Sequence, residues 1–125
     1  MNDGQPRVLV VDDEPLVRMF TAIGLRDAGF VVVEARNAEE ALSEFAAMAA
    51  LAVITDVEMP GSMNGYDLAW RVRQIQPGIP LLIISGRVVP QASELPPKAR
   101  FLCKPVALGT LLAELRHAID ASQGE

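Results

Sequence analysis

Residues 7–15 read Arg-Val-Leu-Val-Val-Asp-Asp-Glu-Pro, an apolar run that ends abruptly in three acids and a proline. The run at residues 7–11 has the length and the β-branched composition of a buried strand. Pro15 suits the first turn of a helix, because its fixed φ is helical and its missing N–H would have no partner there. The stretch therefore predicts a strand, an acidic loop and then a helix.

The same alternation recurs along the whole chain. Further apolar runs of strand length lie at residues 30–34, 51–55, 80–84 and 99–102. Apolar stripes at helical spacing lie between or after them: Leu16, Val17, Phe20, Ile23 and Gly24; Ala38, Ala41, Leu42, Phe45 and Met48; Leu68, Ala69, Val72 and Ile75; Leu108, Leu111, Leu112, Leu115 and Ile119. Continuous apolarity suits strands that are covered on both faces, so this order predicts an open α/β domain with a five-stranded parallel sheet.

Length and composition set the limits for this interpretation. The chain has 125 residues, half of them apolar, which predicts one folded domain over residues 1–125 with a core at about 6–121. The longest apolar run, residues 45–54, is too short to span a membrane, and the N-terminus lacks a secretory signal. We therefore expect a cytoplasmic protein without a membrane segment.

Charge and cysteine content exclude further classes. Eleven basic residues against sixteen acidic ones give a net charge of −5, and no Lys/Arg cluster interrupts the chain, which argues against nucleic-acid binding. The single cysteine, Cys103, has no His or Cys neighbour at metal-ligand spacing and is interpreted as a small apolar strand residue.

Residues suited to chemistry or to tight turns follow four of the five runs, where the carboxyl ends of parallel strands meet and ligands usually bind. They are Asp12, Asp13 and Glu14 after the first run, Asp56 after the third, Ser85 and Gly86 after the fourth, and Lys104 and Pro105 after the fifth. Several acids at close range repel one another unless a cation lies among them. Oxygen ligands without His or Cys favour a hard ion such as Mg²⁺.

Magnesium in turn suggests phosphoryl chemistry. Phosphoryl transfer needs a nucleophile and positive charge on the phosphoryl oxygens, which Asp56, Lys104 and the Ser85 hydroxyl could supply together with the ion. Taken singly, an acid after a strand is more often a helix cap, and Asp13 or Asn64 could be one. The joint occurrence of apt residues after four strands favours a site.

At these positions the chain resembles the receiver domain of two-component response regulators. The matching stretches are Val8-Leu9-Val10-Val11-Asp12-Asp13-Glu14-Pro15, Thr55-Asp56-Val57-Glu58-Met59-Pro60 leading to Asn64-Gly65-Tyr66, Ile84-Ser85-Gly86, and Phe101-Leu102-Cys103-Lys104-Pro105. The resemblance implies a flavodoxin-like (βα)5 domain with strand order 2-1-3-4-5 and helices on both faces of the sheet. We expect the fourth helix to be short or irregular, because residues 88–98 contain three prolines.

The resemblance also implies the roles of the acids. Asp56 would accept a phosphoryl group from the phosphohistidine of a sensor histidine kinase or a histidine phosphotransfer protein. Asp13 and Asp56 would bind Mg²⁺ directly and Asp12 through a water molecule, and the backbone carbonyl of Glu58 would complete the protein ligands. Mn²⁺ would suit the same ligands.

A conformational switch is the third implication. Lys104 would pair with the phosphoryl oxygens, and Ser85 would move to hydrogen-bond one of them. Phe101 stands where the family keeps an aromatic residue that turns inward when Ser85 moves, and the change biases a surface of the fourth helix, fifth strand and fifth helix. The Lys104-Pro105 peptide is expected to be cis.

Two departures from the family pattern affect the site. The loop at residues 60–65 is longer than the commonest version by about one residue, which alters the shape of the loop after Asp56. Glu58 and Arg87 stand two positions beyond Asp56 and Ser85, respectively. We expect them to form an ion pair that slows the attack of water on the acyl phosphate.

Because the chain runs from Met1 to Glu125 and ends soon after the last helix, we expect a stand-alone receiver. It would be a signalling phosphoacceptor that catalyses its own phosphorylation and slow dephosphorylation, not an enzyme with an external substrate. The downstream target is unknown, and a homodimer is compatible with the resemblance.

One alternative is a receiver from a hybrid kinase or multidomain regulator. A second is a Mg²⁺-dependent phosphohydrolase of the haloacid-dehalogenase type, which would place Asp-x-Asp where this chain has Asp12-Asp13-Glu14.

Overall fold

The computed structural model describes residues 7–86 and 89–123, in which strands and helices alternate. The strands are β1 (Arg7–Val11), β2 (Val31–Ala35), β3 (Ala52–Asp56), β4 (Leu81–Ser85) and β5 (Arg100–Cys103). The helices are α1 (Pro15–Asp27), α2 (Ala38–Ala47), α3 (Gly65–Ile75) and α4 (Leu108–Gln123), with a short 3-10 helix at Ala92–Glu94. Within the described ranges, no helix is long and apolar enough to cross a membrane.

All five strands are parallel and lie in the order β2-β1-β3-β4-β5, as predicted. Neighbouring residues of each strand point to opposite faces of the sheet. Leu9 and Val11 belong to the apolar cluster under α2 and α3, whereas Val8 and Val10 belong to the cluster under α1 and α4. The sheet is therefore covered on both faces, which explains the continuous apolarity of its strands.

Four strands lie one residue further along the chain than predicted. The hydrogen-bonded ladder pairs Asp56 with Ile84 and Ser85 with Cys103, so both polar residues are the last members of their strands. The predicted runs stop one residue earlier, because the backbone ladder sets the end of a strand and the pattern of apolar side chains does not locate it to one residue. Asp56 and Ser85 are therefore held by the backbone pairing of the sheet.

The predicted buried face of α1 is wrong except at Gly24, which is buried. Leu16 and Phe20 are each 74% exposed, whereas Ala22 and Leu25 are fully buried against the sheet. Since the sequence of α1 is apolar on more than one side, the stripe at helical spacing did not identify the side that packs. Gly24 allows α4 to approach, because a Cβ built at Gly24 would stand only 2.6 Å from the Leu108 side chain.

The other helices bury most of their predicted stripes, with exceptions at the ends. Ile75 at the end of α3 is 58% exposed and Leu108 at the start of α4 is 37% exposed. Asn64 is a helix cap, since its side chain accepts a hydrogen bond from Asp67 N–H and Asp67 returns one to Asn64 N–H. Asp13 is not, because the cap residue of α1 is Glu14, which makes no side-chain capping bond.

The connection between β4 and β5 is irregular, as the prolines predicted. In the described part of this connection, residue 86 and residues 89–99, the helical part is the 3-10 turn of three residues. The Trp70 indole N–H of α3 donates to the carbonyl oxygen of Glu94 at 3.0 Å, and Pro96 is buried. These contacts hold the segment against α3 in place of a regular helix.

Candidate functional site

The carboxyl ends of β1, β3, β4 and β5 bring the predicted site residues to one edge of the sheet. The strand order places β1 and β3 side by side, so that Asp12, directly after β1, lies beside Asp56 at the end of β3. Both aspartates are buried, at 8% and 5% exposure. Glu14, Glu58 and Lys104 line the mouth of the same depression.

Three carboxylates converge at this edge. One oxygen from each of Asp12, Asp13 and Asp56 can be chosen so that the three lie within 4.8 Å of one another. That spacing fits an all-oxygen site for a small hard cation. The Asp12 carboxylate accepts a hydrogen bond from the backbone N–H of Glu14 at 2.9 Å, and the backbone carbonyl oxygen of Asp12 accepts one from the Arg18 guanidinium at 2.8 Å.

The Asp56 side chain is fixed through both of its oxygens. Oδ1 accepts the backbone N–H of Val57 at 2.9 Å, and Oδ2 lies 3.2 Å from the Lys104 ammonium. The Lys104-Pro105 peptide is cis, as expected. A carboxylate held in one orientation can act as a nucleophile, and the ammonium beside it can stabilise the negative charge of the product.

Burial raises the pKa of Asp56 to about 6, against the opposing effect of Lys104, and the carboxylates of Asp12 and Glu58 add repulsion. Burial also raises the pKa of Asp12. Burial alone would lower the pKa of Lys104, but Asp56 beside it raises the pKa overall. For Asp56 and Asp12 burial is the main cause and the excess of negative charge adds to it, whereas for Lys104 that excess is what raises the pKa. A bound cation would relieve that excess.

Gly65, the first residue of α3, is required by close packing behind Asp56. A Cβ built there would overlap the carbonyl oxygen of Asp56 and stand 2.7 Å from the Cα of Val57. The Gly65 N–H donates to the Val57 carbonyl at 2.9 Å. The Asn64-Gly65 pair in the sequence was part of the resemblance, but this packing role was not predicted.

The loop after Asp56 is tied to α2. Gly61 has a φ of +105°, a conformation that side-chain-bearing residues rarely adopt. The next residue, Ser62, donates its hydroxyl to Glu39 at 2.9 Å. The loop that was predicted to be longer by one residue is thus closed by a turn and a side-chain contact.

Ser85 and Glu58 form a contact that the sequence did not suggest. The buried Ser85 hydroxyl donates to Oε2 of Glu58 at 2.7 Å. The expected ion pair between Glu58 and Arg87 involves a residue outside the described ranges, so it stays a prediction. Phe101 pairs with Ile83 in the sheet and is half-buried against the apolar cluster under α2 and α3.

Comparison with known proteins agrees with the fold. A sequence profile of the response regulator receiver domain matches residues 8–116. Transcriptional regulatory protein TrcR of Mycobacterium tuberculosis (strain ATCC 25618 / H37Rv) is 31% identical over 124 residues, which cover 96% of this chain and 48% of TrcR. The first curated relatives that match include a sensor kinase and transcriptional regulators, and the chain spans between 10% and 48% of their lengths.

Solved structures of similar fold are also receiver proteins. The response regulator receiver protein of Sinorhizobium medicae WSM419 is 26% identical with a TM-score of 0.90, over 95% of this chain and 98% of that one. Response regulator TrrA of Thermotoga maritima, solved in complex with Mg²⁺ and BeF, is 25% identical with a TM-score of 0.80, over 91% and 99% of the two chains. Since the profile covers most of the chain and the sheet has the expected strand order, the chain belongs to the response regulator receiver domains of two-component systems.

Proposed function

We propose that this receiver accepts a phosphoryl group on Asp56 from the phosphohistidine of a sensor histidine kinase or a histidine phosphotransfer protein. The observation that carries the proposal is the buried Asp56 carboxylate, held 3.2 Å from Lys104 and beside two further acids. The chain is a signalling phosphoacceptor whose chemistry is its own phosphorylation and dephosphorylation.

The transfer uses the residues as they are placed. An oxygen of Asp56 attacks the phosphorus, the O–P bond forms, and the P–N bond of the phosphohistidine breaks with its electron pair left on the imidazole nitrogen. The Lys104 ammonium, already at the Asp56 carboxylate, neutralises the incoming phosphoryl oxygens. The Ser85 hydroxyl then donates to one of those oxygens, and Phe101 follows it inward.

In this proposal Asp13 and Asp56 would hold Mg²⁺ directly, Asp12 would hold it through water, and the Glu58 backbone carbonyl would complete the protein ligands. Mn²⁺ suits the same oxygens. Support comes from the close approach of the three carboxylates and from the Thermotoga maritima relative described with Mg²⁺ and BeF. When bound, the ion supplies positive charge to the transferring group.

A protein phosphodonor docks on α1 beside the site. Five apolar side chains of this helix, which we name the α1 apolar face, are between 42% and 74% exposed: Leu16, Val17, Met19, Phe20 and Ile23. Contiguous exposed apolar surface marks a place where proteins bind. Because α1 begins at Pro15, directly after the acidic loop, a donor bound there would bring its phosphohistidine close to Asp56.

Receivers also occur within longer proteins, and the lengths of the curated relatives favour a parent protein with further domains. In a hybrid kinase the donor would be a domain of the same polypeptide, and in a transcriptional regulator the target would be an attached output domain. The proposed chemistry at Asp56 is the same in each case.

Intact mass after incubation with Mg²⁺ and acetyl phosphate tests the phosphoacceptor. We expect one added phosphoryl group on the wild-type chain and on Asp120→Asn, a control acid on the exposed side of α4, and none on Asp56→Asn. Addition to Asp56→Asn would move the acceptor elsewhere. No addition to the wild-type chain would favour a receiver that acts by docking alone.

A further inference from the structure

We propose that the Glu58 carboxylate is a competitor for the Ser85 hydroxyl, holding it away from Asp56 until a phosphoryl group displaces it. This inference rests on the proposed function, since it concerns the hydroxyl that would bind the phosphoryl oxygen.

The contact itself is short and charge-assisted. Ser85 Oγ donates to Glu58 Oε2 at 2.7 Å, within the range of the stronger hydrogen bonds between a hydroxyl and a carboxylate. Ser85 is 1% exposed, so water does not compete freely for its hydroxyl. Both residues are anchored nearby, because Ser85 ends β4 and Glu58 follows β3 by two residues.

A serine hydroxyl has one proton to donate. While Ser85 donates to Glu58, it cannot donate to an oxygen on Asp56. Phosphorylation of Asp56 therefore requires the hydroxyl to exchange one acceptor for another, and the free energy of the existing bond opposes that exchange. Glu58 thus sets the balance between the two positions of Ser85.

Charge gives the exchange its direction. Glu58 and Asp56 are close enough that the Glu58 carboxylate raises the pKa of Asp56. A phosphoryl group on Asp56 adds about −1.5 to −2 charges and three strong acceptors. The Glu58 carboxylate is then repelled from the site while the hydroxyl gains a better acceptor. The contact between Ser85 and Glu58 is therefore stable before phosphorylation and unstable after it.

Binding of BeF₃⁻ in the presence of Mg²⁺ measures this competition, because BeF₃⁻ occupies the phosphoryl position without a covalent step. In the full chain, Glu58→Ala should tighten BeF₃⁻ binding by about tenfold, as expected when a competing hydrogen bond to a charged group is lost. Glu58→Gln keeps an acceptor without the charge and should give a smaller gain. Isothermal titration calorimetry provides the dissociation constants.

Loss of a negative charge would by itself favour an anion, so a charge control is needed. Glu14 lines the same depression and makes no capping bond with its side chain, and Glu14→Gln reports the effect of charge alone. The decisive comparison uses Ser85→Ala, in which there is no hydroxyl to hold. In that background Glu58→Ala should improve binding no more than Glu14→Gln does.

Each outcome has one meaning. A gain for Glu58→Ala that exceeds the charge control and disappears with Ser85→Ala supports the competition. A gain equal to that of Glu14→Gln, or one that persists in Ser85→Ala, overturns it while leaving the phosphoacceptor intact. A wild-type chain that neither binds BeF₃⁻ nor gains a phosphoryl group from acetyl phosphate would overturn the proposed function and this inference together.

Discussion

The Nζ atom of Lys104 lies 3.2 Å from Oδ2 of Asp56. Asp56 ends β3 and Lys104 follows β5, and the strand β4 lies between these two strands. The lysine side chain therefore crosses the end of β4 beside Gly86, where an added Cβ would make only ordinary contact with Lys104, 3.7 Å from its Cβ. The ammonium is already at the point where a phosphoryl group on Asp56 would place its negative charge.

Replacing Lys104 should slow phosphorylation strongly. Lys104→Met keeps much of the side-chain length and removes the charge, and we expect the rate with acetyl phosphate to fall by about a hundredfold, as when one stabilising donor is lost from a reaction site. Lys98→Met, at the only other lysine in the sequence, is the matched control. Intact mass followed over time gives both rates, and equal rates would contradict the role of Lys104.

The same pair predicts a pH dependence of stability. The folded-state pKa of Asp56 is raised from 3.8 to about 6, so its ionised form costs folding free energy. This cost is absent well below pH 3.8, where the carboxyl is protonated in the folded and unfolded states; it grows between the two pKa values and is complete above about pH 6. Asp56→Asn should therefore raise the free energy of unfolding by about 1–2 kcal/mol at pH 7.5 and by much less at pH 4.

Urea denaturation of the wild-type chain and Asp56→Asn at both pH values measures this difference. Asp120→Asn, on the exposed side of α4, controls for the loss of one acidic charge. An equal gain from the two variants, or a gain for Asp56→Asn that is larger at pH 4, would show that burial of the ionised Asp56 is not costly.

Gly65 offers a test of the packing that positions Asp56. A Cβ there would overlap backbone atoms of Asp56 and Val57, which cannot move aside as the end of a flexible side chain can. Gly65→Ala should therefore lower the free energy of unfolding by roughly 2–3 kcal/mol and slow phosphorylation. Gly78→Ala, at a site with nothing within 4 Å of the added Cβ, should change little. Thermal and urea unfolding distinguish the two variants.

The sheet and its acidic edge could be predicted from the sequence, because the strands are apolar runs and four of the five lead into chemically distinct residues. Strand order followed from the resemblance. The packing side of α1 could not be predicted, since Phe20 and Leu25 are both apolar and only tertiary contacts with the sheet decide which is buried. The contact between Glu58 and Ser85 was also out of reach, because it depends on a side-chain conformation in the loop after β3.

The exposed side chains of α1 provide the last test, which separates docking from chemistry. Phe20 is 74% exposed, so Phe20→Ala should change the free energy of unfolding by less than about 0.5 kcal/mol. The rate of phosphorylation by acetyl phosphate should also be unchanged, because Phe20 has no part in the carboxylate site. Transfer from a phosphorylated histidine kinase should fall by about tenfold or more, since an exposed aromatic side chain at the centre of an interface contributes strongly to binding.

Ile75→Ala is the control for this experiment, because Ile75 is an apolar residue that is 58% exposed on α3, away from the α1 apolar face. It should leave transfer from both donors unchanged. A loss with acetyl phosphate as well as with the kinase would mean that Phe20 supports the fold of the site, and unchanged transfer from the kinase would mean that the donor binds elsewhere. A loss confined to the protein donor is the result that docking on α1 requires, because a small phosphodonor reaches Asp56 without touching the helix.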